Sequence, residues 1–172
     1  MQETYLNQYI KSHKDFPKKG IIFKDLLPIL LSPIVFKKLV DNMSVKGLFQ
    51  ECDAIIGIES RGFIFGTAIA LKLSKPLVLA RKPGKLPGLL IEKSYSLEYG
   101  KNTLCVQKKA LKKYNSFAIV DDLLATGGTV NCVSNLLKRN LKKITGLVTV
   151  VELKELEGRL KLDFPVESAL KV

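Results

Sequence analysis

Ala118-Ile119-Val120-Asp121-Asp122-Leu123-Leu124-Ala125-Thr126-Gly127-Gly128-Thr129, residues 118–129, is the stretch from which the rest of the chain can be organised. An apolar run from Phe117 to Val120 reads as a strand, and two adjacent carboxylates mark its end. A small, hydroxyl-rich turn follows. Val130, Val133, Leu137 and Leu141 then recur at three- and four-residue spacing, the period of one helix face. The order is strand, acidic strand end, glycine turn, helix N-terminus. Backbone N–H groups at a helix start lack intrahelical partners, and the helix dipole favours an anion there. Gly127 and Gly128 let several N–H groups converge, and Thr126 and Thr129 add hydroxyl donors. The turn therefore suits a phosphate. Two carboxylates beside it suit a group rich in hydroxyls or carrying a divalent cation. Phosphate, diol and metal together describe a phosphorylated sugar. A plain strand-turn-helix unit of an α/β protein also carries glycines after a strand; the paired Asp ahead of Thr-Gly-Gly-Thr is what favours the ligand reading. Neither G-x-x-x-x-G-K-[ST] nor a G-x-G-x-x-G after a strand is found, which argues against a P-loop hydrolase and a dinucleotide site.

The same unit recurs upstream. Asp53 to Ile58 reads as a buried strand, followed by Glu59-Ser60-Arg61-Gly62 and a helix containing Ile64, Ala68 and Leu71. Arg61 thus falls in a loop at the carboxyl end of a strand, where ligands gather in parallel α/β sheets, and Arg is a bidentate partner for phosphate. Pro76 to Ala80 is a third strand. It runs into Arg81-Lys82-Pro83-Gly84-Lys85-Leu86-Pro87-Gly88, whose prolines and glycines exclude a helix. This loop reads either as a solvated surface or as a lid bringing positive charge over a phosphate site. Ser94 to Gly100 alternates as a hairpin arm with Glu98 near its end, and Leu104 to Gln107 is the return strand. Lys108 to Lys113 reads as a solvated helical turn or loop. Ile144 to Val151 is a further strand, 152–161 is charged and irregular, and Phe164 to Val166 adds a last short strand. At the N-terminus, residues 2–11 suggest an amphipathic helix. Ile21 to Asp25 reads as a core edge or as the wall of a flat apolar ligand, with Phe23 offering a ring face. Ser32-Pro33 is a helix start whose stripe is Ile34, Val35, Leu39 and Met43. His13 is read as a solvated residue without a role. Repeated βαβ units imply an α/β fold, with a mostly parallel central sheet, helices on both faces, and a single domain over 1–172.

The 172 residues are 47% hydrophobic, enough for a globular core, and no apolar run reaches the ~18–20 residues of a membrane helix. The N-terminus has no signal-peptide pattern. Cys52, Cys105 and Cys132 are few, odd in number and widely spaced, which fits a reducing cytoplasm and no membrane partner. The formal charge is +12, with 28 basic residues of which only Arg61, Arg81, Arg139 and Arg159 are arginine. Without interleaved aromatics, and with so little Arg for reading bases, the charge favours a Lys-rich surface that draws in a polyanionic substrate over a nucleic-acid partner.

Five blocks in this order carry a family resemblance: Asp15-Phe16-Pro17-Lys18-x-Gly20, Gly57-Ile58-Glu59-Ser60-Arg61-Gly62-Phe63, Arg81-Lys82-x-Gly84-Lys85-Leu86-Pro87, Ser94-Tyr95-x-Leu97-Glu98-Tyr99-Gly100 and Val120 to Thr129. Together they resemble the adenine phosphoribosyltransferases, and Gly158-Arg159-x-x-Leu162 extends the match. The Asp-Asp…Thr-Gly-Gly-Thr block is common to type I phosphoribosyltransferases; the Asp-Phe-Pro, Glu-Ser-Arg-Gly-Phe and Leu-Glu-Tyr-Gly blocks point to adenine. The resemblance implies that fold with a small N-terminal hood over about 1–32 and a flexible β-arm over about 81–104. It implies a cytoplasmic, homodimeric glycosyltransferase of purine salvage that joins adenine to phosphoribosyl pyrophosphate, with Mg²⁺, and releases AMP and pyrophosphate. On this reading Ala125, Thr126, Gly127, Gly128 and Thr129 cradle the 5′-phosphate, and Asp121 and Asp122 hold the ribose hydroxyls. Glu59, Ser60, Arg61, Arg81 and Lys85 meet the pyrophosphate, while Ile22, Phe23 and Lys24 line the adenine pocket. Glu98, Arg61 and Lys85 are the catalytic residues, Glu98 as proton donor or acceptor. Mg²⁺ is held mainly through substrate, with Asp121 or Asp122 the direct candidates. The resemblance also implies a cis peptide at Glu59-Ser60. The sequence departs from the family pattern at Lys24, where many members carry Arg, and at Pro83 in the basic loop. An oxopurine-specific transferase and a purine-sensing regulator on the same fold are the competing readings. The 14 residues before Asp15 hold no helix-turn-helix, which disfavours the regulator.

Overall fold

The computed structural model describes residues 4–97 and 100–172 and forms two compact units, residues 1–42 and 43–172. The first unit begins with a one-turn helix α1 (Thr4–Asn7) and an antiparallel pair, β1 (Lys11–Lys14) and β2 (Ile22–Asp25), in register from Lys11↔Asp25 to Lys14↔Ile22. The amphipathic helix expected over 2–11 is thus a single turn. The Lys-Ser-His-Lys segment, of which only Lys11 fell within that expectation, finds backbone partners across the pair. The connecting turn is tied by the Asp15 carboxylate, which accepts from the Gly20 amide at 2.7 Å. Asp25 likewise accepts from Leu27 N at 2.9 Å, opening α2 (Leu27–Leu30), which the sequence did not signal. Ser32 and Pro33 start α3 (Pro33–Ser44) as expected: the Ser32 carbonyl accepts from Phe36 N at 2.9 Å, and its hydroxyl lies 3.5 Å from Val35 N. Val35, Leu39 and Met43 are buried, but Ile34 is 81% exposed and so is not part of the buried stripe.

The second unit is built on five parallel strands in the order β4-β3-β7-β8-β9. Their ranges are β3 (Ala54–Ile58), β4 (Leu77–Ala80), β7 (Ser116–Leu124), β8 (Lys143–Glu152) and β9 (Val166–Lys171). The near-continuous apolar runs of β3, β7 and β8 follow from burial on both faces, because parallel strands are covered by their crossover helices. Helix α4 (Gly62–Lys72) lies on β3 and β7, and α6 (Gly128–Arg139) carries Val133, Leu136 and Leu137 into the core with Ile56, Phe117 and Leu147. The last strand is longer than expected, because Val166 and Leu170 both find buried positions. Beside the sheet, β5 (Leu90–Leu97) and β6 (Gly100–Gln107) pair antiparallel from Leu90↔Gln107 to Leu97↔Gly100, so the arm starts before Ser94. Its base is fixed by a two-way bridge between Arg81 and Cys105, at 2.9 and 2.7 Å, and α5 (Lys108–Lys113) follows. Cys52, Cys105 and Cys132 are buried free thiols. Among the described residues no helix is long and apolar enough to cross a membrane.

The strand order positions the site. The chain leaves β3 through α4 to reach β4 on one side, and leaves β7 through α6 to reach β8 on the other. Between β3 and β7 the connections part in opposite directions, and ligands of open α/β sheets bind in the crevice that this leaves at the carboxyl ends of the strands.

Candidate active site

That crevice is a cleft of about 290 Å³ lined by Glu59, Ser60 and Arg61 after β3 and by residues 121–130 around the end of β7. The residues that the sequence assigned to ribose, 5′-phosphate and part of the pyrophosphate are therefore brought together. Asp121 and Asp122 sit inside β7 instead of beyond it, because the strand continues to Leu124. Gly127 has φ of 78°, the left-handed region that glycine enters without steric cost, and α6 starts at Gly128. The first turn of α6 has no acidic residue, so its positive end is left for an anion.

The two aspartates are held where carboxylates are costly. Asp121 and Asp122 are only 8% and 7% exposed. Burial first, and then the neighbouring Asp122 charge, push the Asp121 carboxyl well above the usual carboxylate range. Burial also raises Asp122, against the pull of Arg61. The Asp122 amide donates to Asp121 Oδ1 at 2.9 Å, and Arg61 Nε lies 2.6 Å from Asp122 Oδ2. That ion-pair contact is not aligned for a hydrogen bond, and Asp122 Oδ2 is buried without a hydrogen-bond partner among the described residues. Such an oxygen suits a ligand hydroxyl or a cation, so the donor set fits both a ribose diol and Mg²⁺. No cluster of three metal-ligating side chains occurs among the described residues, so a cation here would draw most of its ligands from substrate and water.

Glu59 is the opposite case. It accepts from Lys85 Nζ at 2.8 Å, from the Lys82 amide at 2.8 Å and from Arg81 Nε at 3.3 Å. Burial alone would raise its pKa, but the hydrogen bonds from Lys85, Lys82 and Arg81 outweigh burial and lower it to about 2. Arg81 is further held by the Lys85 carbonyl at 3.2 Å and by the Phe63 ring, 5.6 Å from centroid to guanidinium. The basic loop is therefore packed onto Glu59, and its two cations stand beside the cleft. The Glu59–Ser60 peptide is cis, as the resemblance implies.

Ile22, Phe23 and Lys24 lie on β2 of the first unit. Ile22 is about half exposed, the Phe23 ring packs edge-on against Phe16 with centroids 5.1 Å apart, and Lys24 Nζ donates to Ser12 Oγ at 3.0 Å. Glu98 lies outside the described residues. One participant was given no role at the sequence level. Gly158 backs the turn at residues 125–127 so closely that a methyl on it would fall 2.1 Å from the Ala125 carbonyl oxygen. The Gly-Arg pair near the C-terminus was its only signal.

The fold and this crevice are those of a phosphoribosyl transferase domain, and the model of that family matches residues 33–171. An adenine phosphoribosyltransferase of Prochlorococcus marinus subsp. pastoris is 63% identical over 96% of this chain and 97% of its own length. The crystal structure of the Thermoanaerobacter pseudethanolicus adenine phosphoribosyltransferase superposes with a TM-score of 0.91 at 37% identity, covering 98% of both chains. The Saccharomyces cerevisiae adenine phosphoribosyltransferase, solved with adenine and an imino-altritol bisphosphate, gives 0.89 at 37% identity and the same coverage. This chain belongs to the adenine phosphoribosyltransferase family.

Proposed function

We propose that this protein transfers the phosphoribosyl group of phosphoribosyl pyrophosphate to adenine, giving AMP and pyrophosphate in purine salvage, as a cytoplasmic, Mg²⁺-dependent homodimer. The observation that carries the reading is the half-finished aspartate pair beside an anion-ready helix start in one cleft, within a chain 63% identical to an adenine phosphoribosyltransferase.

In this reading the amides and hydroxyls of residues 125–129 hold the 5′-phosphate, and Asp121 and Asp122 accept from the ribose hydroxyls. The adenine nitrogen attacks the anomeric carbon as its bond to the pyrophosphate oxygen breaks. Positive charge grows on the ribose and negative charge on the leaving group. The carboxylates stabilise the first, and Arg61, Arg81 and Lys85, with the loop at Glu59 and Ser60, stabilise the second. Bound Mg²⁺, held through substrate with Asp121 or Asp122 as direct ligands, would add charge neutralisation at the pyrophosphate. Ile22, Phe23 and Lys24 hold the base by backbone bonds and stacking. Glu98 takes the proton that adenine releases, and the 81–104 arm closes to exclude water from the cation-like ribose. Three free cysteines support a reducing compartment, and the exposed Leu31 and Ile34 support a subunit surface.

Incubation with adenine, phosphoribosyl pyrophosphate and Mg²⁺ is expected to yield AMP, with hypoxanthine, guanine and xanthine failing to compete. Absence of AMP from protein that binds AMP would overturn the activity; competition by xanthine would overturn the adenine preference.

A further inference from the structure

The turn that receives the phosphate is supported from behind by backbone, not by side chains. Gly158 packs against it with no space for a methyl on either partner: one on Gly127 would meet the Gly158 carbonyl oxygen at 2.7 Å. The approach to Gly158 is not relaxed, since Glu157 sits at φ 49°, a region uncommon for non-glycine residues. The tie that keeps the segment there is the next residue. Arg159 Nε and Nη2 grip the two oxygens of Glu152 at 2.8 and 2.6 Å, and Nη1 donates to the Val166 carbonyl at 2.6 Å. Glu152 ends β8 with a side chain only 7% exposed, and the Ser168 hydroxyl on β9 also donates to it. All three guanidinium nitrogens are thus engaged away from the cleft, and Arg159 is not among its lining residues.

We propose that the Glu152–Arg159 fork is a positioning device for the phosphate end of the site. By tying the turn Gly158–Lys161 to β8 and β9, it seats the Gly158 backbone against residues 125–127 and keeps their amides converged. The pair touches no substrate. It acts through Gly158, and the proposal rests on the assignment of residues 125–129 to the 5′-phosphate. A bidentate fork is what this requires, since a lysine ammonium in its place keeps the charge but cannot hold both oxygens and the Val166 carbonyl in one plane.

The test separates the two ends of the site. Ribose 5-phosphate occupies the phosphate end, and Mg²⁺-pyrophosphate occupies the leaving-group end. Arg159→Lys is expected to weaken ribose 5-phosphate about tenfold while pyrophosphate affinity changes by less than about twofold. In turnover, KM for phosphoribosyl pyrophosphate should rise and kcat should hardly move. Unchanged ribose 5-phosphate affinity in the folded variant, or equal losses for both ligands, would overturn the proposal. If circular dichroism shows Arg159→Lys unfolded, Glu152→Gln decides by the same two titrations, a selective loss supporting the fork and its absence refuting it. Wild-type protein that binds pyrophosphate but not ribose 5-phosphate would remove the phosphate assignment and the fork's role with it.

Discussion

Glu59 and the Asp121–Asp122 pair stand at the same end of adjacent parallel strands, β3 and β7, and both are nearly buried. Their surroundings differ in one respect, the supply of donors. Glu59 has three, two of them cationic, and titrates at about 2. The aspartates share one arginine between two carboxylates; burial raises both, and the Asp122 charge raises Asp121 further. Glu59 is a completed interaction that arranges other residues. The aspartates are less complete, with Asp122 Oδ2 lacking a hydrogen-bond partner among the described residues. Surface exposure alone therefore does not separate the two kinds of carboxylate here; the supply of donors does.

The largest expected effect comes from removing the carboxyl that the fold raises well above its ordinary range. Asp121→Asn keeps the shape and the acceptor for the Asp122 amide, but removes a carboxylate that the fold pushes towards its neutral form. Turnover should drop about 100-fold or more as ribose stabilisation is lost, while the folded state gains about 1–2 kcal/mol at neutral pH. The sign follows from linkage. A folded pKa raised above the unfolded value of 3.8 means that the native state loses relative stability as pH rises from there through the raised pKa. The stability gap between variant and wild type should thus be absent below pH 3.8 and open on the way to neutrality. Urea melts across pH measure it, and a variant less stable than wild type at pH 7 would break the contrast drawn between the two sites.

Glu59→Gln should move stability the other way and activity less. The wild-type pKa falls from 4.5 to about 2 on folding, so its stabilisation is full above 4.5 and disappears as pH falls through 2. With Lys85 half exposed, the loss on substitution is discounted to about 1–2 kcal/mol. Arg81 and Lys85 would lose the anchor that sets them beside the cleft, and kcat/KM should fall about tenfold, mostly through KM for phosphoribosyl pyrophosphate. Melts of Glu59→Gln and Asp121→Asn should show opposite pH slopes; parallel slopes would mean that the supply of donors does not distinguish the two sites.

The chain itself foreshadows the Asp pair more clearly than it does Glu59's role. The βαβ order, the three central strands and the glycine turn that opens α6 were all legible, because continuous apolar runs, a 3.6-residue stripe and Thr-Gly-Gly-Thr are local signals. Glu59 as the hub of the basic loop was not, since its partners lie more than twenty residues away and meet it only once β3 and β4 pair. The packing role of Gly158 was not legible for the same reason: its constraint is a contact with Ala125, 33 residues earlier. The strand at residues 11–14 was not legible, because it is defined by pairing with β2 and not by a pattern of its own.

The smallest effect tests whether the basic loop acts by amount of charge or by placement of it. Arg81, Lys82 and Lys85 are close in sequence, and a loop that worked as a diffuse positive field would lose about equally from each. The geometry says otherwise. Arg81 and Lys85 reach Glu59 with their side chains, whereas Lys82 contributes its backbone amide at 2.8 Å, a bond that survives truncation of the side chain. Lys82→Ala should therefore leave stability and kcat/KM within about twofold of wild type. Lys85→Ala should follow Glu59→Gln, raising KM for phosphoribosyl pyrophosphate. Equal losses from Lys82→Ala and Lys85→Ala, fading together as ionic strength is raised, would replace the anchored loop with a screened field and reduce Glu59 to one surface counter-charge among many.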